Sequence, residues 1–229
     1  MSESGAPEHL TDCANAGPGE ADAELFLVEG ESAAESIIAV RSEATQAVLA
    51  LQGKVRNALT SSASKVLADP HCSAIIHTIG AGHGPDTDPT RARYRRILLA
   101  TDADVDGLHA RALLMVLLHT HLAPLLDARM CWAIRTPLFA LTDSNGELHY
   151  SWTEAQRRQQ ERQIHSTGTA IADVRRFKAL GQMEQMELER WGVDPATRQQ
   201  SALTLEHGAA AVESHRRMSA MGGARRLQS

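Results

Sequence analysis

Short apolar runs alternate with stretches of helical spacing along the first two thirds of the chain. The apolar runs have the length and composition of buried strands, and they cover residues 25–28, 47–52, 95–100 and 131–135. Helical spacing follows to about residue 41, over 61–79 with a break at Pro70, and over 108–128. This alternation predicts an α/β fold with a mostly parallel sheet, flanking helices and right-handed crossovers.

The pattern changes after residue 142. An Asn-Gly pair at 145–146 lies between two short β-like runs and is typical of a hairpin. Polar helices are predicted over 153–163 and 183–191, and a loosely held Ala-rich helix from about 207. Residues 1–22 are rich in Gly, Pro, Ala and acidic side chains, which predicts a flexible lead-in. We therefore expect three parts: the lead-in 1–22, an α/β domain over 23–142, and a small α+β appendage over 143–229.

Composition narrows the functional classes. Hydrophobic residues make up 43% of the 229 positions, enough for a core, whereas aromatic residues make up only 3%, which argues against base-stacking platforms for single strands. The net charge of −5 provides no broad basic field for phosphates. Any contact with nucleic acid is therefore expected to be local or completed by a partner.

Cysteine usage and apolar runs indicate the compartment. Three scattered cysteines match neither a disulfide framework nor a CxxC metal site, which fits a reducing cytoplasm. The first residues lack the features of a signal peptide, and the apolar run 113–126 is too short and too interrupted to span a bilayer. We expect a cytoplasmic protein with no membrane partner.

Three carboxylates follow one predicted strand at alternate positions. Asp102, Asp104 and Asp106 come directly after the run 97–100 and before Gly107. Two carboxylates about 4 Å apart repel by roughly 1 kcal/mol in water and about 4 kcal/mol in a half-buried site, so a hard cation such as Mg²⁺ is favoured between them. Glu29 ends another predicted strand, and the carboxyl ends of parallel strands share one edge of a sheet. Glu29 and Asp102 are therefore expected to meet at one metal.

Other interpretations of this acidic run stay open. It is also compatible with a solvated turn that caps the following helix. A calcium EF-hand loop fails, because Leu113 stands where a bidentate Glu is needed. A phosphatase of the haloacid dehalogenase type would use Asp104 as nucleophile and Asp106 as acid/base. That class also needs a later Lys and an acidic pair, and Lys178, the only Lys downstream, is followed by no such pair.

Five motifs, in this order, resemble the Toprim half of type IIA topoisomerase B subunits, the family that includes those of DNA gyrase and topoisomerase IV. The resemblance covers residues 10–227, and its motifs are Leu-Phe-Leu-Val-Glu-Gly-Glu-Ser-Ala (25–33), Leu-Gln-Gly-Lys-Val-Arg-Asn (51–57), Ala-Thr-Asp-Ala-Asp-Val-Asp-Gly-Leu-His-Ala-Arg (100–111), Arg-Thr-Pro-Leu-Phe (135–139) and Arg-Phe-Lys-Ala-Leu-Gly-Gln-Met (176–183).

The resemblance implies metal-assisted cleavage and rejoining of double-stranded DNA, by a cytoplasmic, nucleoid-associated enzyme. By position, Glu29, Asp102 and Asp104 match the catalytic metal ligands and Asp106 the outer acid. The ion implied is Mg²⁺, with Mn²⁺ or Ca²⁺ as substitutes. Lys54 and Asn57 match a DNA-contacting pair, while His109, Arg111 and Lys178 could face phosphate or be ordinary polar residues. The attacking tyrosine is implied to belong to a separate topoisomerase A subunit.

The chain also departs from the family pattern. Ala34 and Glu35 stand where two glycines are usual, Gln52 replaces a basic residue, and Ala179 replaces glycine. These changes would weaken DNA affinity or loop geometry rather than metal ligation. The glycine-rich segment 80–84 is not a P-loop, so ATP is expected to act only through a separate ATPase domain or chain. A non-catalytic remnant that binds DNA or a partner is the alternative.

Overall fold

A computed structural model describes the backbone of residues 7–226 and the side chains of residues 7–218. The elements of the first part are β1 Leu10–Thr11, β2 Glu24–Glu29, α1 Glu31–Ile38, β3 Gln46–Leu51, α2 Ala63–Leu67, α3 Pro70–Ile79, β4 Arg96–Ala100, α4 Val105–His121, α5 Ala123–Asp127 and β5 Cys131–Arg135. Those that follow are β6 Phe139–Asp143, β7 Leu148–Ser151, α6 Glu154–Ser166, β8 Ile171–Arg176, α7 Gln185–Leu188, β9 Gln199–Ala202 and α8 Leu205–Arg226.

The main sheet has six strands in the order β1-β3-β2-β4-β5-β9. Its four central strands are parallel, and the two edge strands are antiparallel to their neighbours. Parallel strands with helices on both faces are apolar along their whole length, because both faces are buried. In β2, for example, Leu25 and Leu27 join one core cluster while Phe26 and Val28 join the other. The predicted α/β class is confirmed.

The predicted helix over 108–128 is two helices. The first of them, α4, begins three residues earlier than predicted, at Val105, because the Asp104 side chain accepts a hydrogen bond from the Gly107 N–H and caps the helix. The first helix stops at His121, and α5 starts afresh with Pro124 in its first turn, where the missing proline N–H costs nothing. No helix within residues 7–226 combines the length and apolar character needed to cross a bilayer.

The second sheet has three antiparallel strands in the order β7-β6-β8, with α6 beside them. The hairpin predicted around Gly146 is present between β6 and β7. Strands β8 and β9 are not in the sequence prediction, and β9 returns to the main sheet, where it pairs with β5. The Ala-rich helix α8 packs along α4, with Gly208 directly against the ring of His119.

The described part of the predicted lead-in is attached to the main sheet. Leu10 and Thr11 pair with β3, and Asp12 forms an ion pair with Arg93 and accepts a hydrogen bond of 2.7 Å from the Tyr94 hydroxyl. Residues 1–6 of that segment lie outside the described residues. The domain boundaries stay a prediction.

Candidate metal and nucleic-acid site

Glu29 and Asp102 leave the main sheet at the same edge. Strands β2 and β4 are parallel neighbours, and Val28 lies opposite Ala100, so both chains turn away from the sheet at the same level. The loop after β4 carries Asp102 and Asp104, and the first turn of α4 carries Asp106. We call these four acids the acid edge. The topology places at one edge of the sheet the carboxylates that were predicted from the sequence to share a metal.

Glu29 is the least satisfied member of the acid edge. Its Oε2 atom is buried and has no hydrogen-bond partner. Burial raises the pKa of Glu29, and the nearby charge of Asp102 raises it further. The chain turns at Gly30, whose φ of 84° suits glycine, and α1 then begins. A carboxylate in this position is stabilised by a cation.

Asp102 is held by a loop from the appendage. Its Oδ1 accepts a hydrogen bond of 2.9 Å from the Leu180 N–H, and the Lys178 carbonyl accepts one of 3.0 Å from the Ala103 N–H. Burial raises the pKa of Asp102, the Leu180 hydrogen bond opposes this, and Asp104 adds a further rise. The motif around Lys178 therefore positions the acidic loop through backbone groups.

Gly107 lets the acidic loop fold back on helix α4. A Cβ atom at this glycine would overlap the backbone carbonyl of Asp102. Asp104 caps the helix with a hydrogen bond of 2.8 Å from the Gly107 N–H. The capping interpretation therefore accounts for Asp104 alone, while Asp102 and Asp106 have other neighbours.

Asp106 pairs with Lys54, which reaches it from the loop after β3. Lys54 Nζ lies 2.7 Å from Asp106 Oδ1, and both side chains are exposed. This hydrogen bond lowers the pKa of Asp106 and raises that of Lys54. The predicted outer acid and one predicted DNA contact thus bind each other.

The acid edge does not form a compact set of ligand atoms. Within the described side chains, Glu29, Asp102 and Asp104 do not form a group whose ligand atoms all lie within 4.8 Å of one another. Mg²⁺ keeps several waters in its octahedron and uses few direct carboxylates, so it tolerates this spacing. Together with the unpartnered Glu29 oxygen, the donor set fits such an ion.

The other predicted DNA-contacting residues have different surroundings. Asn57 Oδ1 accepts the Leu59 N–H at 3.0 Å in a local turn. The ring of His109 lies 6.1 Å from that of His215, on α8. Lys178 is exposed, and its side chain forms no ion pair among the described residues. Their roles in DNA binding stay predictions.

Arg111 lies next to the acid edge, and Arg135 is a second arginine there that was not predicted from the sequence. Its Nε donates to Thr101 Oγ1 at 3.0 Å. Burial lowers the pKa of Arg111, and the positive charge of Arg135 lowers it further. Arg135 ends β5 at the same edge of the sheet, so its position after a parallel strand could have identified it.

Comparison with known proteins gives a consistent family assignment. Residues 24–135 match the Toprim domain family. The B subunit of DNA gyrase from Archaeoglobus fulgidus is 35% identical over 207 residues, which cover 90% of this chain and 32% of that protein.

Other relatives give the same assignment. The gyrase B subunit of Haloferax volcanii is 37% identical over 206 residues (90% and 31%), and that of Streptococcus pneumoniae serotype 4 is 32% identical over 211 residues (91% and 32%). The chain spans about a third of the length of these curated relatives.

Proposed function

Since residues 24–135 form a Toprim domain and the chain matches the Toprim half of type IIA topoisomerase B subunits, we propose that it is the metal-binding part of a DNA cleavage and rejoining site. Glu29, Asp102 and Asp104 would hold Mg²⁺, and Asp106 would be the outer acid. The observation that carries this proposal is the buried, unpartnered Oε2 of Glu29 at an edge shared with Asp102.

When bound, Mg²⁺ would neutralise phosphate charge and stabilise the leaving oxygen. The residues of this chain have separate tasks around it. Glu29 and Asp102 would supply ligand oxygens, and the Leu180 N–H keeps Asp102 oriented. A phosphate would compete with Asp106 for the ammonium group of Lys54, and Arg111 and Arg135, at the same edge of the sheet, would offer guanidinium groups to other DNA phosphates.

The proposal requires other polypeptides. Neither Tyr94 nor Tyr150 fits the attacking role, because Tyr94 is buried with its hydroxyl on Asp12 and Tyr150 donates to Glu187. The attacking tyrosine would come from a topoisomerase A subunit, and ATP would act through a separate ATPase domain. A cytoplasmic, nucleoid-associated site of action belongs to the same proposal.

A reconstituted cleavage reaction tests the proposal. The purified chain is mixed with a cognate A subunit, supercoiled DNA, Mg²⁺ and a drug that stabilises the cleaved complex. We expect Glu29→Gln and Asp102→Asn each to reduce cleaved DNA by at least about 100-fold, because each removes a metal ligand that supports several kcal/mol of charge stabilisation. Cleavage is measured as linear and nicked DNA after denaturation.

Two exposed acids outside the acid edge provide matched controls. Glu43→Gln and Asp127→Asn remove the same charge and should leave the cleavage yield unchanged. Association with DNA and the A subunit without Mg²⁺-dependent cleavage would identify a non-catalytic remnant. Hydrolysis of small phosphate esters by the chain alone would support the phosphatase alternative.

A further inference from the structure

A second set of metal-ligating side chains lies in the hairpin of the small sheet, outside the acid edge. Asp143 ends β6, Glu147 lies in the turn, and His149 is in β7. One ligand atom from each lies within 4.8 Å of the other two. We propose that these three side chains bind one divalent transition-metal ion of the Zn²⁺ class, at a site that stabilises the hairpin.

The distance between two of the ligand atoms is that of a long hydrogen bond and also suits a shared ion. His149 Nε2 lies 3.4 Å from Asp143 Oδ2. Most N–H···O hydrogen bonds are about 2.9–3.0 Å long. Two ligands about 2.0–2.1 Å from a tetrahedral Zn²⁺ lie roughly 3.3–3.4 Å apart, which is the spacing between these two atoms. Little movement of Asp143 and His149 is therefore needed to admit the ion.

The charges around the hairpin favour a cation. The Asp143 side chain is 6% exposed, and its Oδ1 accepts the backbone N–H groups of Asn145 and Glu147 at 2.9 Å each. Among the described side chains, no Lys or Arg nitrogen lies within 4.0 Å of either carboxylate.

Space for a fourth ligand is present beside the three side chains. A cavity of about 370 Å³ is lined by Asp143, Glu147 and His149 on one side and by α6 and the following turn on the other. Thr167 and Thr169 line it as well, and their hydroxyl groups offer further oxygen atoms. Zn²⁺ with three protein ligands completes its tetrahedron with water, and this cavity has room for that water. The imidazole nitrogen favours Zn²⁺ over Mg²⁺.

Zinc titration of the full chain tests the site. Zn²⁺ is titrated in competition with a chromophoric zinc indicator, with Mg²⁺ in excess to saturate sites that prefer oxygen ligands. We expect one tight equivalent of Zn²⁺, and at least about tenfold weaker binding in His149→Gln, Glu147→Gln and Asp143→Asn. Asp143→Asn is the most informative variant, because the Asn side-chain oxygen can still accept both backbone hydrogen bonds and preserve the turn.

Two further measurements separate this site from others and from misfolding. His77→Gln changes a histidine in the open groove that also contains His9 and His71, and it should leave the tight equivalent intact. Replacing Zn²⁺ by Co²⁺ should give the absorption of a tetrahedral site in the parent chain and not in His149→Gln. Unchanged affinity in all three hairpin variants, with folded chains by circular dichroism, would overturn the proposal.

Discussion

Glu24 and Glu29 lie at opposite ends of the same strand, and their surroundings are opposite. Glu24 at the start of β2 is 3% exposed and forms a bidentate pair with Arg198, with nitrogen–oxygen distances of 2.5 and 2.7 Å. Arg96 and Gln46 also donate to it, at 3.1 and 3.0 Å. Glu29 at the end of β2 has acidic neighbours and an oxygen with no partner.

This contrast separates a carboxylate that is held by cationic and polar partners from one that has an oxygen without a partner. Burial by itself raises the pKa of Glu24, but the hydrogen bonds and charge of Arg198, together with the hydrogen bonds from Gln46 and Arg96, bring the pKa below its ordinary value. The pKa of Glu29 is raised instead. A carboxylate whose ionised form is disfavoured at a shared strand edge is typical of a binding site. Ionised Glu24 at the start of β2 therefore stabilises the folded chain, whereas ionised Glu29 at its end destabilises it.

The largest expected effect comes from removing Arg198, the main partner of Glu24. Arg198→Ala leaves Glu24 buried with Arg96 and Gln46 as its remaining partners, so we expect a loss of about 3 kcal/mol in the free energy of unfolding. Urea denaturation measures it. Arg217→Ala is the control, because its pair with Glu213 is exposed and worth about 0.5 kcal/mol or less. A similar small loss for both variants would mean that the buried pair contributes no more to the free energy of unfolding than the exposed pair does.

The two ends of the strand also differ in what the sequence alone predicts. Glu29 and Asp102 follow apolar runs, so their meeting at one edge can be predicted from strand order. The partner of Glu24 could not be found in this way, because Arg198 is 174 positions away and next to β9. That strand, Gln-Gln-Ser-Ala, has no apolar alternation and is recognisable only once β5 provides its hydrogen bonds.

A backbone contact explains another gap in the sequence prediction. The motif containing Lys178 predicted a side chain that could contact DNA, which stays untested, and did not predict that the Leu180 N–H and the Lys178 carbonyl hold the acidic loop. Every residue except proline carries both backbone groups, so no side-chain pattern reveals which of them is used. The position of a residue within a motif predicts which segments lie close together, but only the structure shows which atoms form the hydrogen bonds.

Substitution of Gly107 tests the position of Asp102 at the acid edge. Gly107→Ala places a Cβ against the Asp102 carbonyl, so the acidic loop or the start of α4 has to move. We expect a loss of about 1–3 kcal/mol, typical of overpacking, and weaker Mg²⁺ stabilisation because Asp102 moves from Glu29. Thermal unfolding with and without Mg²⁺ measures both effects.

Gly17→Ala is the matched control for this change. The nearest atom to its Cβ would be Glu20 Cγ at 3.7 Å, an ordinary contact. Its effect should stay within about 0.5 kcal/mol. If Gly107→Ala retained the full response to Mg²⁺, the position of Asp102 would be unimportant for the ion.

The smallest expected effect is the pH dependence of Glu29. A carboxyl group whose folded pKa is raised costs nothing when it is protonated in both states, and it destabilises the folded chain as the pH rises from its ordinary value of 4.5 through the raised pKa. Glu24, whose pKa is lowered, has the opposite sign: its stabilisation is complete above 4.5 and is lost as the pH falls through the folded pKa.

In metal-free buffer, Glu29→Gln should therefore match the parent near pH 4 and be more stable at pH 7, by less than about 1 kcal/mol because water screens a partly exposed group. Urea midpoints across this pH range measure the difference, with Glu43→Gln as the exposed control. If Glu29→Gln were less stable than the parent at pH 7, the acid edge would resemble the Glu24 end, and the contrast along β2 would fail.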